Sequence, residues 1–238
     1  MTRWIMLLAI LAPLGLMPAQ ASAEERWFQV EVLVFARTQA SGGEHWRLDV
    51  RPEYPRDHVR SRTSGASLPD NASNPDRQAL RQGAWQALPD DRLSLTAMRQ
   101  QMERSGEYRS LFHSSWRQPM RERDQTIPVH IQGGRELSPD PALYRSSFSD
   151  IEGDVEGDGD QGSQDMSVFD SAPQYELQGT LQLSVSRFLH IDPNLWFTRV
   201  DSDDQRYYVN IDQSRRMRSD ELHYIDHPLF GIIVKVTR

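Results

Sequence analysis

Hydrophobic and polar residues alternate in several separate stretches of this chain, and a period of two predicts strands. From Trp27 to Arg37, Phe28, Val30, Val32 and Val34 fall on one face, with Gln29, Glu31 and Leu33 on the other. The first face is mostly β-branched and reads as core. Tyr108–Trp116 reads as a second strand, and Thr126–Gln132, with Ile127, Val129 and Ile131, as a short third one ended by Gly133-Gly134. From Tyr175 the pattern is dense. Leu177, Leu181, Leu183 and Val185 share one face, and Gln178, Thr180, Gln182 and Ser184 point outward, as in a half-buried antiparallel strand. His190–Asn194, containing Pro193, predicts a turn, after which Leu195–Val200 returns and Arg206–Ile211 follows.

The chain is organised around its last stretch, Gln213–Val236. Arg215, Met217, Leu222, Tyr224 and the run Ile232–Val236 predict a hairpin and a further strand, turning at Ser219-Asp220. Helical spacing occurs once with clarity. Leu95, Met98 and Met102 line one face of Ser94–Ser105, with Ser94 as the expected N-cap and Gly106 as the stop. Strand, helix and strand then predict a β-α-β element against a sheet. Short connections after Tyr175 require antiparallel pairing. The expected fold is α+β: a mainly antiparallel sheet closed by the C-terminal hairpin, one principal helix and two long polar loops.

Those loops lie near 38–91 and 149–172, where periodicity is lost and Pro, Gly, Ser and Asp accumulate. Trp46, Tyr54 and Trp85 are the large apolar anchors of the first, and Trp85 and Leu88 are expected to dock on the core. The second contains DVEGDGDQGSQD. Asp154, Glu156, Asp158 and Asp160 sit at positions 1, 3, 5 and 7 of a calcium-loop pattern, with Gly159 at 6 and Asp165 at 12. The short Asp at 12, Gln161 where an apolar residue packs, and the lack of flanking helices argue for a solvated spacer instead.

Residues 1–23 have the form of a secretory leader. Arg3 supplies the positive start, Ile5–Met17 the apolar run, and Ala21-Ser22-Ala23 the small-residue cleavage site. The apolar run is too short for a comfortable membrane span. The remainder, from Glu24 to Arg238, is expected to form a single exported domain. With no cysteine, disulfides, thiolate zinc sites and cysteine nucleophiles are excluded. The formal charge of −7 becomes −8 without Arg3, so nothing draws the chain to nucleic acid or anionic lipid at long range.

Four blocks together resemble one family: WFQVEVLVFAR, YRSLFHSSWRQP, LQGTLQLSVSRFLHIDPNLWF and SRRMRSDELHYIDHPLFGIIVKV. In sequence and order they resemble the CsiV family of periplasmic peptidoglycan-binding proteins. The resemblance implies a non-catalytic wall-binding protein that supports cell-wall synthesis. Its implied partners are peptidoglycan, a class A penicillin-binding synthase and that enzyme's outer-membrane lipoprotein activator. A periplasmic protein–protein adaptor that does not bind the wall is the alternative.

Residue chemistry also favours binding over catalysis. His223-Tyr-Ile-Asp226-His227 approaches the inverted zinc-protease pattern. On a strand, however, the two histidines stand about 13 Å apart, too far to share one zinc. No nucleophile motif, phosphate loop or cofactor motif is present, so no cofactor is expected. For recognition, Arg216 and Arg218 are expected to share a strand face, where guanidinium groups suit carboxylates. Candidate ligand-binding residues are Arg215, Arg216, Arg218, His223, Tyr224, Trp196 and Tyr207, with Phe197 and Tyr208 as further stacking surfaces.

Overall fold

The computed structural model of the protein describes residues 25–39, 52–138, 174–200 and 205–238. The leader, Trp46 and the calcium-loop pattern lie outside the described residues. In chain order the elements are β1 (Trp27–Arg37), β2 (Val59–Arg62), β3 (Gly65–Ser67), α1 (Asn74–Arg81), α2 (Thr96–Ser105) and β4 (Tyr108–Pro119). Then come β5 (Val129–Leu137), β6 (Gln174–Val185), β7 (Leu189–Val200), β8 (Arg206–Ile211), β9 (Arg215–Met217), β10 (Leu222–Asp226) and β11 (Phe230–Thr237). The fold is α+β and mainly antiparallel, as the sequence implies, but it has two sheets where one was expected. The first runs β10-β11-β1-β4; the second runs β3-β2-β5-β6-β7-β8, with β9 added to β7. The one parallel pair among them is β2 with β5.

The two sheets share one core. Val30, Val32 and Val34 of β1 meet Leu177, Leu181 and Leu183 of β6 in a single buried cluster, and Phe197 and Phe230 bring ring centroids within 5.5 Å across it. This division corrects the C-terminal hairpin. The turn does fall at Ser219-Asp220, with Asp220 in left-handed geometry that Asp tolerates. Its arms, however, belong to different sheets. Met217 of β9 pairs with Leu189, whereas Ile225 of β10 pairs with Ile232. Both Met217 and Ile225 are buried, so each arm faces the common core from its own side.

Three further expectations change. His190–Asn194 is not a turn but part of β7, and the chain reverses earlier, where the Ser186 N–H donates to the Phe188 carbonyl. Pro193 is tolerated because the outer edge of β7 is unpaired between Ile191, where β9 stops, and Leu195, where β8 begins. Strand, helix and strand do not form a parallel β-α-β unit, since β1 and β4 are antiparallel neighbours. The stretch near 38–91 also carries structure in its described part: β2, β3 and the capped helix α1, with Val59, Ala79 and Trp85 in the core. Leu88, half-buried, donates its N–H to the Ser115 carbonyl, so this segment covers the free edge of β4.

β1 is buried on both faces because it is central and because α2 covers its second face. What holds that helix is Glu31, 3% exposed. Its carboxylate accepts from the Ser94 N–H at 2.9 Å, the Ser94 hydroxyl at 2.6 Å and the Leu95 N–H at 2.8 Å, and lies 2.9 Å from His113 Nε2 on β4. Ser94 is therefore not the N-cap; Leu95 occupies that position, and the carboxylate of another strand serves the helix end. Met98 and Met102 lie on the inward side but stay half-buried, so α2 is a lid on the sheet and not part of the core. Burial alone would raise the Glu31 pKa, but the bonds from His113, Ser94 and Leu95 outweigh it and bring it down to about 2.

A carboxyl whose pKa is depressed on folding contributes stability above its unfolded value, here 4.5, and loses it as pH falls from there toward 2. Glu31→Gln would face the Ser94 and Leu95 N–H groups with a further donor. Urea unfolding of this variant at pH 7 is expected to show a loss of about 3 kcal/mol and a shallower decline of stability with acidification. An unchanged midpoint would mean that the carboxylate does not hold α2.

Candidate functional site

The structure separates the residues singled out from sequence. Arg216 is exposed, and its guanidinium sits 4.5 Å above the ring centroid of Phe188. Arg187 approaches the same ring at 5.7 Å. Arg218 lies beyond the end of β9 and faces Glu221 at 3.6 Å, so it does not share a strand face with Arg216. Arg215 donates to the Tyr224 carbonyl at 2.7 Å and so ties the second sheet to the first. His223 Nε2 lies 3.1 Å from the backbone N and O of Arg218, while His227 Nδ1 accepts from the Leu229 N–H at 3.3 Å. Among the described residues no group of three or more His, Asp or Glu could hold a metal ion.

The predicted aromatics divide in the same way. Trp196 is buried, and its indole N–H donates toward the Glu53 carbonyl at 3.1 Å and Asn194 Oδ1 at 2.9 Å, so it cannot stack on a ligand. Phe197 belongs to the core, and Tyr207 and Tyr208 are half-buried on β8. Tyr224 is exposed at its edge. It stacks on Phe35 with centroids 6.0 Å apart, and its hydroxyl donates to Asp226. Arg37 reaches the Tyr224 hydroxyl at 3.1 Å and Asp226 at 2.9 Å. Burial and the Asp226 carboxylate push the Tyr224 hydroxyl pKa up. Burial of Asp226 is outweighed by its bonds to Tyr224 and Arg37, and its pKa falls.

A second feature, not read from sequence, lies where the sheets meet. β5 bulges between Gly133 and Glu136, and β4 comes so close that a Cβ on Gly133 would stand 2.1 Å from the Leu111 carbonyl oxygen. Opposite the bulge is Glu176, 1% exposed. It accepts from the Arg135 N–H at 2.9 Å and from Arg135 Nε at 2.6 Å, and it pairs with Arg109 Nη2 at 2.8 Å. Burial would raise its pKa, but these bonds reverse the shift and lower it. Beside it opens a cleft of about 450 Å³ lined by Arg37, Arg109, Arg135, Thr198 and Arg199 among others. The sequence signal available was the Gly133-Gly134 pair, which marks a close backbone approach but not its partner.

With two mainly antiparallel sheets, an arginine–aromatic surface and an arginine-lined cleft, the protein has the chemistry of a binding module. The chain belongs to the CsiV family, described as peptidoglycan-binding proteins, which matches residues 4–238. No curated protein and no solved structure shows a significant match.

Because the Gly133 position has no room for a methyl group, Gly133→Ala is expected to cost on the order of 3 kcal/mol. Thermal unfolding checks this, with Gly83→Ala as the comparison, since a Cβ there would meet nothing within 4 Å and only its positive φ opposes it.

Proposed function

We propose that the chain is an exported periplasmic protein, freed of its leader after Ala23, that binds peptidoglycan without cleaving it. On this reading it supports wall synthesis by promoting a class A penicillin-binding synthase, together with that enzyme's outer-membrane lipoprotein activator. The observation that carries the binding surface is Arg216 held over the exposed ring of Phe188, with Arg187 on the same ring. A guanidinium stacked on an aromatic is fixed in place yet keeps its in-plane N–H donors for a carboxylate, and the apolar rim suits a sugar face. Family membership supports the ligand. The overall acidity means that contact with an anionic polymer rests on such local arginine positions.

A second reading, a protein–protein adaptor, draws on β10. This strand is the outer edge of the first sheet and carries exposed Leu222 and Tyr224. Exposed apolar side chains on a strand at a sheet edge fit a protein partner.

Co-sedimentation with purified sacculi tests the first reading. The protein is expected in the pellet at low salt, with binding falling as salt rises. The double variant Arg187→Ala and Arg216→Ala should keep its fold, since both residues are exposed, and should lower the pelleted fraction about fivefold. Protein left in the supernatant throughout would favour the adaptor. The synthase role is checked by glycan polymerisation with a class A enzyme and its activator, where added protein should raise the rate.

A further inference from the structure

We propose that the cleft at the sheet junction binds a carboxylate of the peptidoglycan stem peptide, a second contact separate from Phe188 and Arg216; this rests on the wall-binding reading above. Four arginines line the cleft, Arg37, Arg109, Arg135 and Arg199, against one carboxylate, Glu176. Arg37 is matched by Asp226 outside it. Arg109 and Arg135 share Glu176, and Arg199 is exposed with no ion-pair partner among the described residues. Among the described residues, positive charge is therefore in surplus at the cleft although the chain as a whole is acidic.

Glu176 does more than offset charge. A guanidinium has five N–H donors. Arg135 uses Nε on Glu176 and Arg109 uses Nη2. Each is held by a buried anchor through part of its guanidinium, and Arg135 is 74% exposed, so its outer face meets solvent. This is a prepaid arrangement: ordering two long side chains costs entropy, and the protein meets that cost on folding rather than on binding. Thr198, on the wall of the same cleft, is 2% exposed, and among the described residues its hydroxyl has no hydrogen-bond partner. A buried polar group without a partner is unfavourable until something supplies one, and a peptide or carboxylate oxygen would do so. The volume, about 450 Å³, is of the size that holds a few peptide units.

The position matters too. Arg199 is near the end of β7 and Phe188 just precedes its start, so the two contacts stand roughly 35 Å apart by strand rise. One wall fragment of a single disaccharide cannot fill both.

The test uses the protein with a soluble disaccharide–tripeptide wall fragment, the same fragment with its carboxylates amidated, and an unrelated peptide with a free C-terminal carboxylate. Titration calorimetry is expected to show binding of the wall fragment, about tenfold weaker binding after amidation, and a similar loss in Arg199→Ala. Arg199→Lys should restore part of it. Arg104→Ala, an exposed position on α2 outside both contacts, should leave this affinity unchanged. Equal affinity for the amidated fragment, or no effect of Arg199→Ala, would overturn the cleft as a carboxylate site. Preference for the unrelated peptide would overturn it in favour of a protein C-terminus. Sacculus co-sedimentation of the unaltered protein separates the failures. If the protein pellets but the fragment results are negative, only the cleft assignment falls. If it does not pellet, the wall-binding reading falls as well.

Discussion

A carboxylate buried on the middle strand of a sheet is costly unless it is fully bonded, and that constraint shapes this protein. Glu31 sits on the second face of β1, where solvent would ordinarily be, and α2 covers it. The helix has no fully buried residue of its own, so its attachment rests on the bonds at its start and on two half-buried methionines. Through His113 the same carboxylate engages β4. Glu31 thus fixes the placement of α2, and with it the loop at Gly106 that leads directly into the strand bearing Arg109. Glu176 repeats the device in the second sheet, where a buried carboxylate organises side chains from β4 and β5. Both carboxylates are anchors, and what they anchor differs. One holds a helix and the other holds guanidinium groups at a cleft.

This division explains how wall binding and an acidic chain coexist. Long-range attraction to an anionic polymer is absent, so recognition depends on short-range donors held in place. The two arginine positions reach that state by different means. Arg216 is held by an aromatic face, and Arg109 and Arg135 are held by a buried anion. Removing solvent from either position costs less than it would for free side chains, because the conformers are already selected.

Much of the fold was legible because it rests on local periodicity. The alternation in β1 and β6 named their core faces correctly, and Val32 and Leu181 are fully buried. Partnership between strands was less legible, because it is settled by residues far apart in the chain. Nothing in RRMRSDELHYID says that its two arms join different sheets; that follows from Met217 meeting β7 and Ile225 meeting β11. Pro193 misled for a related reason. A proline that usually marks a turn sits in a strand whose outer edge is unpaired at that point. At the proposed binding surface, Arg216 was singled out from sequence and its neighbour Phe188 was not, because the reversal was placed beyond it, at His190–Asn194. Trp196 was chosen for its chemistry and excluded by its burial. Glu176 and Arg199 carry no motif, and only the meeting of two sheets brings them to one cleft.

The pairing of β1 with β11 also sets the order in which the molecule can be completed. The first strand of the fold lies between β4 and the last strand, so one of its edges has no partner until the final residues are present. A chain emerging N-terminus first therefore carries a long apolar strand, WFQVEVLVFAR, through nearly its whole length before sealing it. Contacts of such high sequence separation close slowly. The consequence is that the centre of the first sheet stays open along one edge of β1 until β11 docks. Truncation at the C-terminus would then expose the centre of a sheet and not a loose end.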